Sequence, residues 1–548
     1  MQKDDQRADH IENTPADPAS VLSPDTLVVC DELRLRMVEK IPNLAELLVS
    51  ARRASDFEHQ MKLLESFKLY PKAVLFSMII SIAIVMEGYD LTLIASFFGY
   101  PTFREKFGVR LADGSYQVTP HWQSGLQNGA QVGEILGLVF AGLLADRFGY
   151  KMTLLGALVM IICTIFVLFF AQNIGMLFAG EVLCGLPWGA FQTLTTTYAA
   201  EVSPIALRSY LTTYVNLCWG IGSIIATGVL RSLLRRSDEW AWRIPYAIQW
   251  FWPVLVIIGV SFAPESPWWL IRKGRLDEAK RSLRSLTSHR RSSSDLDDTI
   301  SFMVVTNEHE KFVNDGVSYW DCFKGVDRRR TEVVCVVWMV QVLCGVSFST
   351  NIAYFMEQAG LPATTAFDFG VGLVGLGLTG TVCFWFVMQY VGRRTLYVWG
   401  LAIMLTILLI VGFLGIPAAG DTSIAYASGA LLLVFVFVYG ITVGPACYSL
   451  VSELPSTRLR IKSVVIARNC YNIVGIAGNF LQAAILNRLA WNLRGKGAFI
   501  WCIFCGISFV WTYFRLPEPT GRSSAELDLL FEQKIPARKF SKIKVDPF

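Results

Sequence analysis

The sequence predicts an all-α membrane protein, twelve transmembrane helices in two six-helix halves with short cytosolic helices beside them. Three observations predict it. Of the 548 residues, 53% are hydrophobic and 17% charged, against about 25% charged in an average soluble domain, and the mean hydropathy is +0.44. Twelve apolar segments follow one another, at 73–99, 122–145, 152–171, 175–200, 211–233, 245–263, 332–356, 366–390, 394–414, 425–451, 461–486 and 497–516. At ~1.5 Å per helical residue, such runs cross the ~30 Å hydrocarbon core of a bilayer. Short polar motifs recur at matching places in the first six segments and the last six.

Residues 1–72 form a polar, mixed-charge tail without a cleavable signal peptide, so the first span itself directs insertion. That span carries Glu87 and Asp90 in Val85-Met86-Glu87-Gly88-Tyr89-Asp90. At i and i+3 the two carboxyls share a helix face. Each costs on the order of 2.5–3.5 kcal/mol in lipid on insertion scales, so the face turns inward, and an intramembrane acid pair marks a functional site. In the second span Gln127, Gln131 and Glu134 fall on one face, and the fourth span carries Glu181. The eleventh has Arg468, Tyr471, Asn472, Gly475 and Asn479 along one stripe. If the four acids and Arg468 all ionise, a dry interior holds three uncompensated negative charges; protons must bind to relieve them. Sodium coupling is the alternative from carboxylates alone.

Three loop motifs echo between halves. Glu201-Val-Ser-Pro-Ile-Ala-Leu-Arg208 after the fourth span matches Glu453-Leu-Pro-Ser-Thr-Arg-Leu-Arg460 after the tenth. The stretch containing Asp146 and Arg147 after the second span matches Gln389-Tyr-Val-Gly-Arg393-Arg394 after the eighth. Pro264-Glu265-Ser-Pro follows the sixth span and Pro517-Glu518-Pro the twelfth. Paired halves of this kind signal alternating access around a midplane site. We expect Asp146, Arg147, Glu201, Arg208, Glu265, Arg393, Glu453 and Arg460 to form salt bridges that latch the halves on the cytosolic side. The glycines Gly370, Gly372, Gly375, Gly377 and Gly380 of the eighth span read as close helix packing.

The domain reading is therefore a cytosolic tail 1–72, an N-terminal half 73–263, a cytosolic linker 264–331, a C-terminal half 332–516 and a cytosolic tail 517–548. The linker holds thirteen Lys/Arg, and Leu276, Ala279, Leu283 and Leu286 predict an amphipathic helix in it. Arg290-Arg-Ser-Ser-Ser294 reads as a phosphorylation stretch or as an ordinary Ser/Arg run of a linker. Charges in the short loops do not decide orientation; the linker and the basic C-terminal tail favour a cytosolic inside. The net charge of +5 is small and dispersed, so nucleic acid is not implied. Twelve scattered cysteines read as free thiols, Cys502 and Cys505 included. No nucleophile–base constellation, nucleotide loop or cofactor motif is present, which argues against an enzyme.

These residues resemble the sugar-porter branch of the major facilitator superfamily (MFS), over about 70–530. Asp146-Arg147-Phe148-Gly149, the two Glu/Arg loops, Pro-Glu-Ser-Pro and Gly444-Pro445 carry the likeness. Within it, Met86–Asp90, Trp122–Leu126, Gly185–Gln192, Tyr214–Trp219, Pro267–Leu270 and Val465–Asn469 look most like fungal maltose permeases, the α-glucoside:proton symporters. Departures from the branch are Glu181 in place of Arg, Trp268 in place of Arg, Gln389 in place of Asp and Ser223 in place of Gln.

The resemblance implies proton-coupled import of an α-glucoside disaccharide such as maltose, by a multi-pass, monomeric protein of the plasma membrane with both termini cytosolic. It assigns Glu87, Asp90 and Glu134 to the proton site with Arg468 as basic partner; Glu181 joins them as a coupling or structural acid. A sugar site needs amides and hydroxyls for its many hydroxyl groups and aromatic faces for its C–H side. Candidates are Gln131, Trp188, Asn216, Gln341, Asn351, Tyr354, Tyr448, Tyr471 and Asn472, with Trp219 beside them; helix bridging is the other use of such residues. A symporter or facilitator for another sugar, and a non-transporting sugar sensor, stay open at this point.

Overall fold

The computed structural model describes residues 49–540 except 51–52, 55–56, 58–60, 62, 113, 289–292, 315–317, 389, 417–421, 457–458, 520–526 and 528–529. Among the described residues, eleven helices are long and apolar enough to cross a membrane. In the first half these are spans 1 (Pro71–Phe97), 2 (Pro120–Phe148), 3 (Tyr150–Phe169), 4 (Ile174–Val202) and 6 (Trp240–Phe262). In the second half they are spans 7 (Gly325–Thr350), 8 (Ala363–Val387), 9 (Arg393–Leu414), 10 (Thr422–Val451), 11 (Lys462–Leu486) and 12 (Arg494–Arg515). The twelfth by position is span 5, Ile205–Leu233. Its sequence is more polar, with Ser209, Thr212, Thr213, Asn216, Ser223 and Thr227. It packs along spans 1 and 8, so little of it needs to satisfy lipid.

The two halves repeat one packing scheme. Spans 1 and 5 pair as 7 and 11 do, 2 and 4 as 8 and 10, and 3 and 6 as 9 and 12. The halves then meet through span 2 on span 11 and span 5 on span 8, again equivalent contacts. Spans 2 and 4 touch backbone to backbone along a row of glycines. A Cβ on Gly133 would overlap the Val182 carbonyl, one on Gly137 that of Leu186, one on Gly185 that of Ala130, and one on Gly189 that of Glu134. Small residues let helix backbones touch in a membrane, and here they fix Glu134 of span 2 beside Gln192 of span 4. In span 8, by contrast, Gly370, Gly372 and Gly375 meet nothing nearer than 3.6 Å; only Gly377 and Gly380 sit in tight contact, against span 10. The reading of that series as close packing is thus corrected to its last two members.

Spans 7 and 10 are broken near mid-membrane. Span 7 stops at Leu343, turns at Gly345 (φ 95°), and resumes as Val346–Thr350 and then Ile352–Gln358. The left-handed backbone there favours glycine. Span 10 breaks at Thr442 between helices Thr422–Ile441 and Val443–Glu453. The linker helix Leu276–Leu286 lies at the span 6–7 end with Ala279, Leu283 and Leu286 buried. Leu276, at its first position, is 47% exposed, so the apolar face begins one turn later than the pattern predicts. The helix packs against the foot of span 1, and Ser288 donates from its backbone to the Leu69 carbonyl at 2.7 Å. Arg290–Ser292 and most of residues 1–72 lie outside the described residues.

Candidate functional site

Arg468 of span 11 stands at the centre of a network joining both halves. Its guanidinium donates to Gln192 Oε1 at 2.6 Å, and Gln192 Nε2 donates to Glu87. The same guanidinium lies 3.5 Å from Glu134 Oε1. Glu87 is fully buried and Glu134 nearly so. Spans 1, 2 and 4 of one half are therefore bound to span 11 of the other through one cation. Gln192 was not singled out as a site residue by the sequence, although eleven residues, close to three turns, place it on the Glu181 face of span 4.

Asp90 does not join this cluster. It accepts from Gln249 of span 6 and faces Glu181 of span 4. Cys184 and Tyr246 are neighbours of the same pair. Both carboxyls are fully buried. The five expected coupling residues thus separate into Glu87, Glu134 and Arg468 at the junction of the halves, and Asp90 with Glu181 inside the first half.

Beside Arg468 stands an aromatic wall. Trp338 of span 7 meets Tyr448 edge-on at 5.1 Å and Tyr471 at 5.4 Å, and the Arg468 guanidinium lies over Trp338 and Tyr471 at 4.9 and 4.7 Å. Tyr448 keeps 44% of its surface accessible. Asn472 is buried beside Glu134, with its amide nitrogen unpartnered. Trp188 is buried, also with its indole N–H unpartnered. Gln131 and Asn216 are half-buried, and Gln131 takes a long contact of 3.5 Å from Asn479. Trp219 lies on the close span 1–span 5 contact, where its carbonyl meets Gly88.

Gln341, Asn351 and Tyr354 are engaged elsewhere. Gln341 accepts from Tyr439 at 2.7 Å and donates to Tyr397 at 3.3 Å and to the Val443 carbonyl at 3.1 Å, tying the two broken helices together. Tyr354 takes hydrogen bonds from Gln117 and Gln123, and Asn351 from Gln127 at 3.4 Å. These contacts join the halves at the end opposite the linker, above a small cleft lined by Phe98, Gln123, Gln127, Asn351, Tyr354 and Gln482. Arg104 pairs with Glu357 there, Arg231 with Asp368 at 2.5 Å, and Asn487 donates to the Val118 carbonyl at 2.8 Å. Burial pushes the Glu357 carboxyl up from its ordinary range while Arg104 pulls it down. Glu357→Gln removes one charge of a largely desolvated pair and is expected to loosen this end. A cysteine at Gln127 (Gln127→Cys) should then react several-fold faster with an impermeant thiol reagent applied from that side. Mild acidification of that side should act in the same direction, because the raised carboxyl takes up its proton sooner than a free one.

The expected latch residues sit at the linker end, but their described contacts stay within each half. Glu201 pairs with Arg272 at 2.8 Å and accepts from the Tyr150 hydroxyl. Glu265 accepts from the backbone N–H groups of Tyr150 and Lys151 at 3.0 and 3.2 Å, capping span 3. Burial pushes the Glu265 carboxyl up, and these N–H groups draw it back. Glu518 does the equivalent for span 9, accepting from Arg394 N at 3.1 Å, and Arg393 pairs with Glu453 at 3.2 Å. A Cβ on Gly149 or Gly392 would strike these capping carboxylates. Asp146 and Arg147 are exposed with no ion pair among the described residues. The side chains of Arg208 and Arg460, and all of Gln389, lie outside the described residues. Among the described residues, the expected latch groups thus form two equivalent networks, one in each half. The reason is geometric: the Pro-Glu turn leaving each half's last span folds back onto that half's own helix start. Glu265→Ala is expected to lower thermal stability, read as a melting shift of a few degrees.

The family described as "Sugar (and other) transporter" matches residues 76–531. The chain is 40% identical over 518 residues to Maltose permease MAL31 of Saccharomyces cerevisiae, covering 93% of this chain and 84% of that one. It is 38% identical over 515 residues to the General alpha-glucoside permease of the same organism, covering 93% and 83%. Among solved structures, the partially occluded inward open xylose transporter XylE of E. coli superposes with a TM-score of 0.65 at 17% identity, covering 82% of this chain and 99% of that one. XylE described as a proton:xylose symporter bound to 6-bromo-6-deoxy-D-glucose gives 0.65 at 18%, covering 84% and 100%. Twelve spans paired alike in two halves, a cation-centred junction between them and these likenesses agree: the chain is a multi-pass membrane transporter that belongs to the sugar transporter family.

Proposed function

We propose that this protein imports an α-glucoside disaccharide of the maltose kind together with protons, by alternating access. The observation that carries the reading is the Arg468 junction, where one guanidinium holds Glu134 and, through Gln192, Glu87 across the two halves. Maltose and α-glucosides come from the names of relatives about 40% identical. Protonation of Glu134 or Glu87 weakens the hold on Arg468 and lets span 11 move away from spans 1, 2 and 4. Sugar binding beside it restores the contacts that the cation and its amides lose. Tyr448, Tyr471 and Trp338 offer ring faces to the C–H side of a pyranose; Asn472, Asn216, Gln131 and Trp188 offer polar groups. One charge moving through 100 mV gains ~2.3 kcal/mol, enough for more than tenfold accumulation of a neutral solute.

In this reading the protein works as a monomer in the plasma membrane with both termini and the linker cytosolic. Residues 73–263 and 332–516 are then the moving halves, 264–331 the tie between them, and 1–72 and 517–548 the tails. The Glu201–Arg272 and Arg393–Glu453 networks stiffen each half at its cytosolic end. The test is uptake of labelled maltose in transporter-deficient cells. Accumulation above the outside concentration should collapse on addition of an uncoupler and persist when sodium is replaced by choline. Unchanged accumulation with the uncoupler removes the coupling claim.

A further inference from the structure

The buried acids do not form one cluster, and the charge of the two groups differs. Around Arg468 a guanidinium offsets one of two carboxylates. Around Asp90 there is no such offset: among the described residues neither Asp90 nor Glu181 makes an ion pair, and both are fully buried. Gln249 Nε2 satisfies Asp90 Oδ1. Asp90 Oδ2 and both oxygens of Glu181 have no hydrogen-bond donor at all.

The other groups around the pair are already committed or carry no charge. On span 1, the Tyr89 hydroxyl donates to the Pro245 carbonyl at 2.9 Å. On span 4, the Cys184 thiol donates to Thr164 of span 3 at 3.2 Å. On span 6, Tyr246 is a neighbour of both carboxyls and its hydroxyl is unpartnered. Three orphaned carboxylate oxygens on two facing side chains, closed off from solvent, are untenable as two anions. They become a sound arrangement when a hydrogen lies between them, since an O–H···O⁻ bond is short and strong.

We propose that Asp90 and Glu181 share one proton and so form a second proton-binding site, sealed inside the first half and separate from the Arg468 junction. The acid oxygen donates to its partner carboxylate, which leaves one negative charge supported by the Gln249 amide. Asp90 lies one helical turn from Glu87, so this store sits next to the junction on the same span. The proposal deepens the coupling reading above and rests on it for any use in transport, but occupancy of the site does not depend on transport.

The test is infrared spectroscopy of the purified full-length protein at mildly alkaline pH, following the C=O stretch of a protonated carboxyl. Wild type should show such a band, and heavy water should shift it only slowly, because neither carboxyl is reached by solvent. Glu181→Gln and, independently, Asp90→Asn should each lose the intensity of one protonated carboxyl, while Glu134→Gln retains it. Folding of each variant is checked by gel filtration, and wild-type exchange alone tests the seal if a variant fails to fold. A band unchanged in both variants, or complete exchange on mixing, overturns the proposal. So does a shift of the carboxylate bands when sodium replaces choline, which would place a metal cation between the acids. An uncoupler-insensitive uptake sinks the coupling reading without touching this band, so the two fail separately.

Discussion

Glu134→Gln is expected to abolish uphill sugar uptake while sparing exchange of labelled for unlabelled sugar across the membrane. The glutamine keeps the shape and an acceptor oxygen for Arg468, which lies 3.5 Å from Glu134 in the native protein, but removes the charge and the titratable group. Removing one partner of a buried pair typically costs about 3–5 kcal/mol. Retaining the amide softens that cost, so the protein should still fold. Without a group that alternately holds and releases a proton, movement of the halves no longer depends on the proton gradient. The accumulation ratio should fall more than tenfold, to about one, with counterflow retained. Glu87→Gln should behave alike, because Glu87 reaches the same guanidinium through Gln192. Asp90→Asn is expected to lose uphill uptake as well, through the neighbouring pair. Accumulation preserved in all three would show that these acids do not couple transport.

The second large effect concerns packing. Gly185→Ala is expected to remove most folded protein from the membrane. Its added methyl would overlap the Ala130 carbonyl and lie 2.8 Å from both Glu134 N and Gly133 Cα, all backbone atoms that cannot swing away. Spans 2 and 4 would have to part along their whole contact, where Gly133, Gly137 and Gly189 make equivalent approaches. Overpacking of this sort costs typically about 1–3 kcal/mol, sometimes more, out of a total of about 5–15. Gly142→Ala on the same span 2 is the control: nothing lies within 4 Å of its methyl, and abundance should be unchanged. Fluorescence-detected gel filtration of the tagged variants compares the two. Equal recovery would mean that the backbone contact is not what holds the spans together.

Both predictions turn on features that the sequence presents unequally. Glu87, Asp90, Glu134 and Glu181 stand out in apolar runs, because a carboxyl in hydrocarbon is expensive wherever it points. The same expense makes Arg468 visible. Gln192 and Gln249 are uncharged and raise no such alarm, yet they hold Glu87 and Asp90. The two Pro-Glu turns are legible as a repeat, but their partners are not: each carboxylate caps a helix start whose backbone N–H groups have no side-chain signature.

By itself, then, the sequence determined the number of spans, the division into two related halves and the set of intramembrane charges, since bilayer thickness and the cost of burying charge act on composition and spacing alone. Only the tertiary structure decided which acids share a partner, which glycines lie against backbone, and which helix starts the described loop carboxylates cap. Those outcomes depend on helix rotation and on contacts between residues far apart in the chain, which no local pattern encodes.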